Sequence, residues 1–348
     1  MTRMRTLRSG LAAAAVLIVL AGVLPGLPGC HRGEKEEVVV YCGVDEPYAS
    51  KVFQQFEQET GIHVKALYDI ESSKSVGLSE KIRAEYASPK ADVWWGSEAF
   101  LTVRMAGDGV LEPYRPPAAA EVPDQFKDPD GYWTGVGLRA RVLAVAEGNS
   151  APPFKVKGIE DLADPRLKNK VTISGLTAGA TGAHAAALYV FWGSEKARAY
   201  FKRLHDNGIA IVGGNAVVAD EVGKGSFSLG LTDSDDVVNT ADNGGRLNTV
   251  VPDQDSFGTL AMPTTVALVK NGPHAGVARK LIDYLTSKQV EQKLIEMKFA
   301  GWSTRAGEGG AGQGLKVMPV DYKAAAKAYA QAQREATAIL QGRDPDHP

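Results

Sequence analysis

Carboxylates recur in this sequence where runs of β-branched and aromatic residues give out. Asp45 and Glu46 follow residues 38–42, Glu98 follows "DVWWGS", and Asp235 and Asp236 close "GLTDSDD". Hydroxyl, amide and glycine residues hold the same position elsewhere: Ser72 beyond the second such run, Ser97, then Thr177, Gly179, Thr181, Asn215 and Thr232. Carboxylate oxygens suit hard multivalent cations. Hydroxyls and free backbone N–H groups at a helix start suit an anion. Singly, each residue has a plainer explanation, with Asp45, Glu46 and Asn215 as helix caps and the Ser and Gly residues as turn formers. Repetition at five or six consecutive strand ends is what points to a site. Asp233-x-Asp235 is not the opening of a calcium loop, because Val237 falls at its fifth position and no glycine follows where that loop must turn. His63, inside a strand pattern, and His184, inside an alanine-rich helix, read as structural.

These residues need a scaffold that brings strand ends together. Residues 38–42 read as a buried strand, 48–60 as a helix stopped by Gly61, and 62–67 as the next strand, a βαβ unit that implies a parallel sheet. A helix over 76–86, a strand over 91–96 and a helix over 100–111 continue it. Of Trp94 and Trp95, one should be core and the other a cleft wall. Residues 135–145 form a long strand in which Arg139 and Arg141 alternate with apolar neighbours. The theme then restarts with a strand at 170–175, helices at 181–193 and 195–208, a strand at 210–214, a helix at 215–225 capped by Asn215, and a strand plus loop at 227–236. A second long strand spans 259–269, one or two helices span 274–297, and the last forty residues read as a surface helix with a frayed tail. "GEGGAGQG", 307–314, reads as a flexible loop. Two α/β units joined by two long strands make a bilobed molecule. Ligands in open parallel sheets bind beyond the carboxyl ends of the strands, where the polar residues collect.

The amino terminus is a targeting segment. Arg3, Arg5 and Arg8 precede an apolar or small-residue run over 11–24, which is too short for the roughly 20 residues that span a bilayer. The run closes at Leu27-Pro28-Gly29-Cys30, which resembles the lipobox of bacterial lipoproteins; the alternative is an ordinary signal peptide with an incidental cysteine. Acylation of Cys30 would tie the chain to a membrane face. Residues 1–29 carry three basic and no acidic side chains, so their removal takes the net charge from −2 to −5. A mildly acidic surface without a basic cluster argues against nucleic acid. With Cys30 lipidated, only Cys42 remains and no intramolecular disulfide can form. No G-x-S-x-G, H-E-x-x-H or C-x-x-C occurs, and Cys42 lacks an obvious histidine partner.

The segments "VVVYCGVDEPYASKVFQQFEQETGIHV", "ADVWWGSEAF", "GLTAGATGAHAAAL", "GGNAVVADEV", "GLTDSDD" and "ARKLIDYLTSKQVEQKLIEM" resemble, in this order, the solute-binding proteins of ABC importers, specifically the ferric-ion-binding group. The resemblance implies a type II periplasmic-binding-protein fold with two α/β lobes joined by two hinge strands. Residues 1–29 would be the leader, 30–37 a tether, 38–138 with 267–305 one lobe, 139–266 the other, and 306–348 a terminal helix and tail. It implies a monomer that is lipid-anchored outside the cytoplasm, partnered by a permease and its ATPase, with a small transported ligand and no catalytic cofactor. Ferric binders of this group use paired tyrosines where this chain has Asp235 and Asp236, and often a histidine where it offers Asp45 and Glu46. The anion loop matches better, at Thr177, Gly179 and Thr181 with Asn215 nearby. Two ligand classes stay open: Fe³⁺ held by Asp45, Glu46, Glu98, Asp235 and Asp236, with Ser72, Ser97, Thr232 and the anion loop around it, or an organic anion such as a phosphonate or a phosphorylated solute. A sensor without transport and an extracytoplasmic enzyme on the same scaffold are further alternatives.

Overall fold

Alternation of short β-branched runs with amphipathic helices builds the order seen in the computed structural model, which describes residues 36–69, 76–177, 179–305 and 314–346. Cys30 and the leader, most of the tether, Ser72 and residues 307–313 of the glycine-rich stretch lie outside these residues. Strand β1 (Glu37–Cys42) leads through α1 (Glu46–Thr60) to β2 (His63–Tyr68), paired in parallel with β1. Gly61 ends α1 in the left-handed region at φ 73°, and its N–H closes onto the Glu57 carbonyl. Helix α2 (Val76–Ala84), β3 (Val93–Gly96), α3 (Ala99–Gly107) and the two-residue β4 (Leu111–Glu112) follow. Both tryptophans of β3 are fully buried. Trp94 donates to Thr102 Oγ1 at 2.7 Å and Trp95 to Thr264 Oγ1 at 3.3 Å. The expectation that one of them walls a cleft is therefore corrected.

Strand β5 (Thr134–Ala146) is the long crossing strand. Next come β6 (Val171–Ser174), α4 (Gly179–Trp192), α5 (Ser194–Asp206), β7 (Ala210–Val212), α6 (Asn215–Gly223), β8 (Leu229–Asp233), α7 (Ser234–Asp242) and β9 (Leu247–Val250). Strand β10 (Ala261–Val269), α8 (Ala275–Leu285), α9 (Lys288–Glu296) and α10 (Tyr322–Leu340) complete the chain. The described strands form a single sheet in the order β2-β1-β3-β10-β5-β8-β6-β7, with β4 on β10 and β9 on β5. Strand β5 changes partner halfway along. Residues 134–140 pair with β10, and 141–145 pair with β8. The expected boundary between 266 and 267 falls inside β10, which is continuous and pairs with β3 as well as β5.

A bulge marks the approach to the handover. The register slips between Pro263 and Thr264, leaving Gly137 of β5 without a cross-strand partner at φ 68°. Its N–H donates to the buried Glu291 Oε1 at 2.8 Å, and a side chain there would put its Cβ 2.8 Å from that of Ala300. Only glycine fits both the backbone and the space.

The terminal helix lies at the surface but is packed down along one whole face. Lys323, Lys327, Gln331 and Arg334 of α10 are exposed. Ala325, Tyr329, Ala332 and Ala336 are buried against α4 and α5, and its first turns meet α3. One apolar core thus joins Phe100 and Leu101 of α3 to Ala183, Ala186 and Ala187 of α4 through α10. The small residues of α4 and α10 let the two backbones approach closely.

Candidate functional site

The handover in β5 fixes the site. With the bulge behind them, Arg139 and Arg141 point to one side of the strand, and both are buried. Arg141 Nη1 donates to Asp233 Oδ1 at 2.6 Å, and its Nη2 donates to Thr181 Oγ1 at 3.1 Å. Arg139 Nη1 reaches Asp233 Oδ2 at 3.4 Å and Asp235 Oδ2 at 3.3 Å, while its Nη2 donates to the Ser97 carbonyl at 2.9 Å. The Arg139 guanidinium also lies 5.1 Å from the Phe299 ring centre. Buried charges of this kind persist only when paired and hydrogen-bonded.

Asp233 ends β8, and Asp235 and Asp236 occupy the first turn of α7, where carboxylates favour the positive helix end. One oxygen from each of the three lies within 4.8 Å of the others. Behind Asp233 runs a hydroxyl and amide network. Asn215 Nδ2 donates to Asp233 Oδ2 at 3.2 Å, and Ser174 and Thr181 hydroxyls donate to Asn215 Oδ1 at 2.8 and 3.1 Å. Thr232 Oγ1 donates to the Asn215 carbonyl at 2.7 Å and meets Asp236 Oδ2 at 3.1 Å. His184 lies close behind, its imidazole held neutral down to about 3 by burial and then by Arg141.

From across the site, α1 brings Asp45 and Tyr48. Asp45 stands at the N-cap position of α1 but makes no side-chain capping bond, so the cap explanation does not hold for it. Tyr48 stacks on Phe299 at 4.8 Å and shares hydrogen bonds with Asn239 of α7 at 2.8 and 3.1 Å. Burial, then the charges of Asp235, Asp45 and Asp236, push its phenol above the usual tyrosine range, although the Asn239 contact pulls the other way. One local field therefore contains all three aspartates.

A family model described as bacterial extracellular solute-binding protein matches residues 88–306, more than half of the chain. The chain belongs to this family. Iron uptake protein A1 of Synechocystis sp. is 28% identical over 278 residues, covering 77% of this chain and 76% of that protein. The fold matches iron-bound HitA from Pseudomonas aeruginosa with a TM-score of 0.76 at 21% identity, over 86% of this chain and 99% of that one. It also matches AfuA from Actinobacillus pleuropneumoniae with fructose-6-phosphate bound, with a TM-score of 0.75 at 22% identity, over 88% and 99%. This chain is therefore an extracellular solute-binding protein with the bilobed type II fold, as its sequence resemblance implied.

Within this solute-binding protein, Asp235 and Asp236 are brought together with Asp233, with Thr181, Asn215 and Thr232 behind them, and Asp45 lies near enough for its charge to be felt at Arg139 and Tyr48. Other expected residues go elsewhere. Glu98, expected as a metal ligand, caps α3 instead: Oε2 accepts from Phe100 N at 2.5 Å and Oε1 from Leu101 N at 3.0 Å. Glu46 is exposed in the first turn of α1, and its charge is felt at Tyr68. Asn215 is not a cap but the first residue of α6, after Gly214. Thr177 is exposed, and Gly179 opens α4 at φ 65°. Ser97 contributes its carbonyl to Arg139. The residues not assigned to a site from sequence are Asp233, Arg139, Arg141, Ser174 and Tyr48. The alternation of arginines in a strand was the available signal for two of them.

Proposed function

We propose that this solute-binding protein captures a hard multivalent cation, ferric iron foremost, as the receptor of an ABC importer, and hands it to a permease and its ATPase. Asp235, Asp236 and Asp45 supply the oxygen ligands, and the halves 38–138 with 267–305 and 139–266 close around the ion. Acylated Cys30 would hold the receptor beside its permease.

The observation that carries this reading is the convergence of one oxygen each from Asp233, Asp235 and Asp236 within 4.8 Å, with the charge of Asp45 felt at Arg139 beside them. The residues expected to bind an anion add to it. Ser174, Thr181 and Asn215 spend their donors on one another and on Asp233, as the outer shell of a metal site does. Among the described residues, four carboxylates face two guanidiniums, an excess of negative charge that attracts a cation and repels an anion. A second reading, an organic phosphate or phosphonate, is favoured by the two buried arginines and by the likeness to a protein with fructose-6-phosphate bound. Against it, the Nη groups of both arginines are already directed at Asp233, Asp235, Thr181 and Ser97.

The test is iron retention by chelator-treated protein offered Fe³⁺ from nitrilotriacetate. Asp235→Asn and Asp236→Asn should each lower affinity at least tenfold, because each removes an anionic donor. Unchanged retention in both variants would refute the assignment.

A further inference from the structure

Arg139 occupies the place where a cation would be most effective. It is 2% exposed at the handover of β5 and contacts both halves of the sheet, through the Ser97 carbonyl on one side and through Asp233 and Asp235 on the other. Its contacts to the carboxylates are loose, at 3.3 to 3.4 Å, whereas Arg141 holds Asp233 at 2.6 Å. The guanidinium is kept there from behind, by the ring of Phe299 and the Ser97 carbonyl, and its Nε–H has no partner. A locked ion pair would show short, bidentate bonds. This geometry is that of a counter-ion shared among several carboxylates.

We propose that Arg139 is a built-in counter-cation that limits how tightly the site holds metal. The inference rests on the cation reading above. In the metal-free protein, Arg139 offsets the repulsion among Asp45, Asp233, Asp235 and Asp236 and lets the lobes meet. With metal present, it repels the ion from a few ångströms away and keeps capture reversible. A guanidinium does not lose its proton in a protein, and this one lies against Asp233 and Asp235. The charge is therefore permanent. Because repulsion between two ions scales with the product of their charges, a trivalent ion feels Arg139 more than a divalent one. Arg139 then sets affinity and compresses the difference between Fe³⁺ and a divalent ion, a specificity-determining role at a residue that ligates nothing.

The experiment compares wild type, Arg139→Gln and Arg139→Lys, all chelator-treated, for binding of Fe³⁺ from nitrilotriacetate and of Mn²⁺. Arg139→Gln should bind Fe³⁺ roughly tenfold or more tighter, with a smaller gain for Mn²⁺. Arg139→Lys retains the charge and should stay within about threefold of wild type. A purely structural role would lower affinity in both variants, and that result overturns the proposal, as does an equal gain for the two metals. Should Arg139→Gln not fold, Arg139→Lys decides alone: Fe³⁺ affinity within threefold supports the counter-ion role, and a larger loss or gain overturns it. A wild type that binds neither ion overturns the cation reading and this inference with it, whereas a wild type that binds Fe³⁺ while Arg139→Gln binds it more weakly overturns only the role of Arg139.

Discussion

Removing the Asp233 carboxylate should be among the most destabilising single changes in this protein. Arg141 is fully buried, and Asp233 is its charged partner at 2.6 Å. In Asp233→Ala, Arg141 keeps only the Thr181 hydroxyl at 3.1 Å and the Leu231 carbonyl at 3.4 Å, with its Nε–H already unpartnered. Leaving a buried charge without its partner costs about 3–5 kcal/mol. The same substitution strands the Asn215 amide, worth about 1 kcal/mol more. The expected loss is therefore about 4–6 kcal/mol, read from urea unfolding of leaderless, chelator-treated protein. Asp233→Asn keeps one oxygen for Arg141 and should lose about half as much. The double variant Arg141→Met/Asp233→Leu should be more stable than Asp233→Ala, because no lone charge remains. A loss under about 1 kcal/mol in Asp233→Ala, or a double variant no better than the single, would refute the reasoning.

Burial raises the Glu98 carboxyl to about 7, against the pull of two backbone N–H groups and Arg139. Its native form thus prefers the proton. The stability this confers is complete below the ordinary carboxylate pKa of 4.5 and is lost as pH rises from there through about 7, so unfolding free energy should fall between those values in wild type and fall less in Glu98→Gln. Equal slopes in the two proteins would count against a protonated Glu98. At the amino terminus, Cys30→Ser should move the protein from the membrane to the soluble fraction, and a variant that stays membrane-bound through the same segment would contradict lipid anchoring.

Much of the architecture was legible because its signals are local. The Val-rich β1, the four buried positions of α1 and the stop at Gly61 can be read over a few residues. Helix α7 was not, because "SDDVVNTAD" is polar enough to read as a loop, and its helicity depends on Val237 and Thr240 packing below. The surface position of helix α10 was legible, but the extent of its buried face was not, because an equally alanine-rich α4 decides which of its alanines are covered. The site divides the same way. Asp235 and Asp236 could be found from their position after a strand. The carboxylate partners of Arg139 and Arg141 lie more than 90 residues along the chain, and nothing local indicates that pairing. Glu98 shows the converse, since a carboxylate after a strand is also an ideal cap for the helix that follows, and here the cap prevails.

Calorimetry on a single chelator-treated preparation tests the central claim most directly, with Fe³⁺ delivered from nitrilotriacetate in one cell and fructose 6-phosphate or 2-aminoethylphosphonate in the others. Saturable binding of Fe³⁺, weakening as pH falls and the carboxylates take up protons, with no heat from either organophosphorus compound, is the predicted result. Tight binding of one of those compounds by metal-free protein, with no uptake of Fe³⁺, would contradict it.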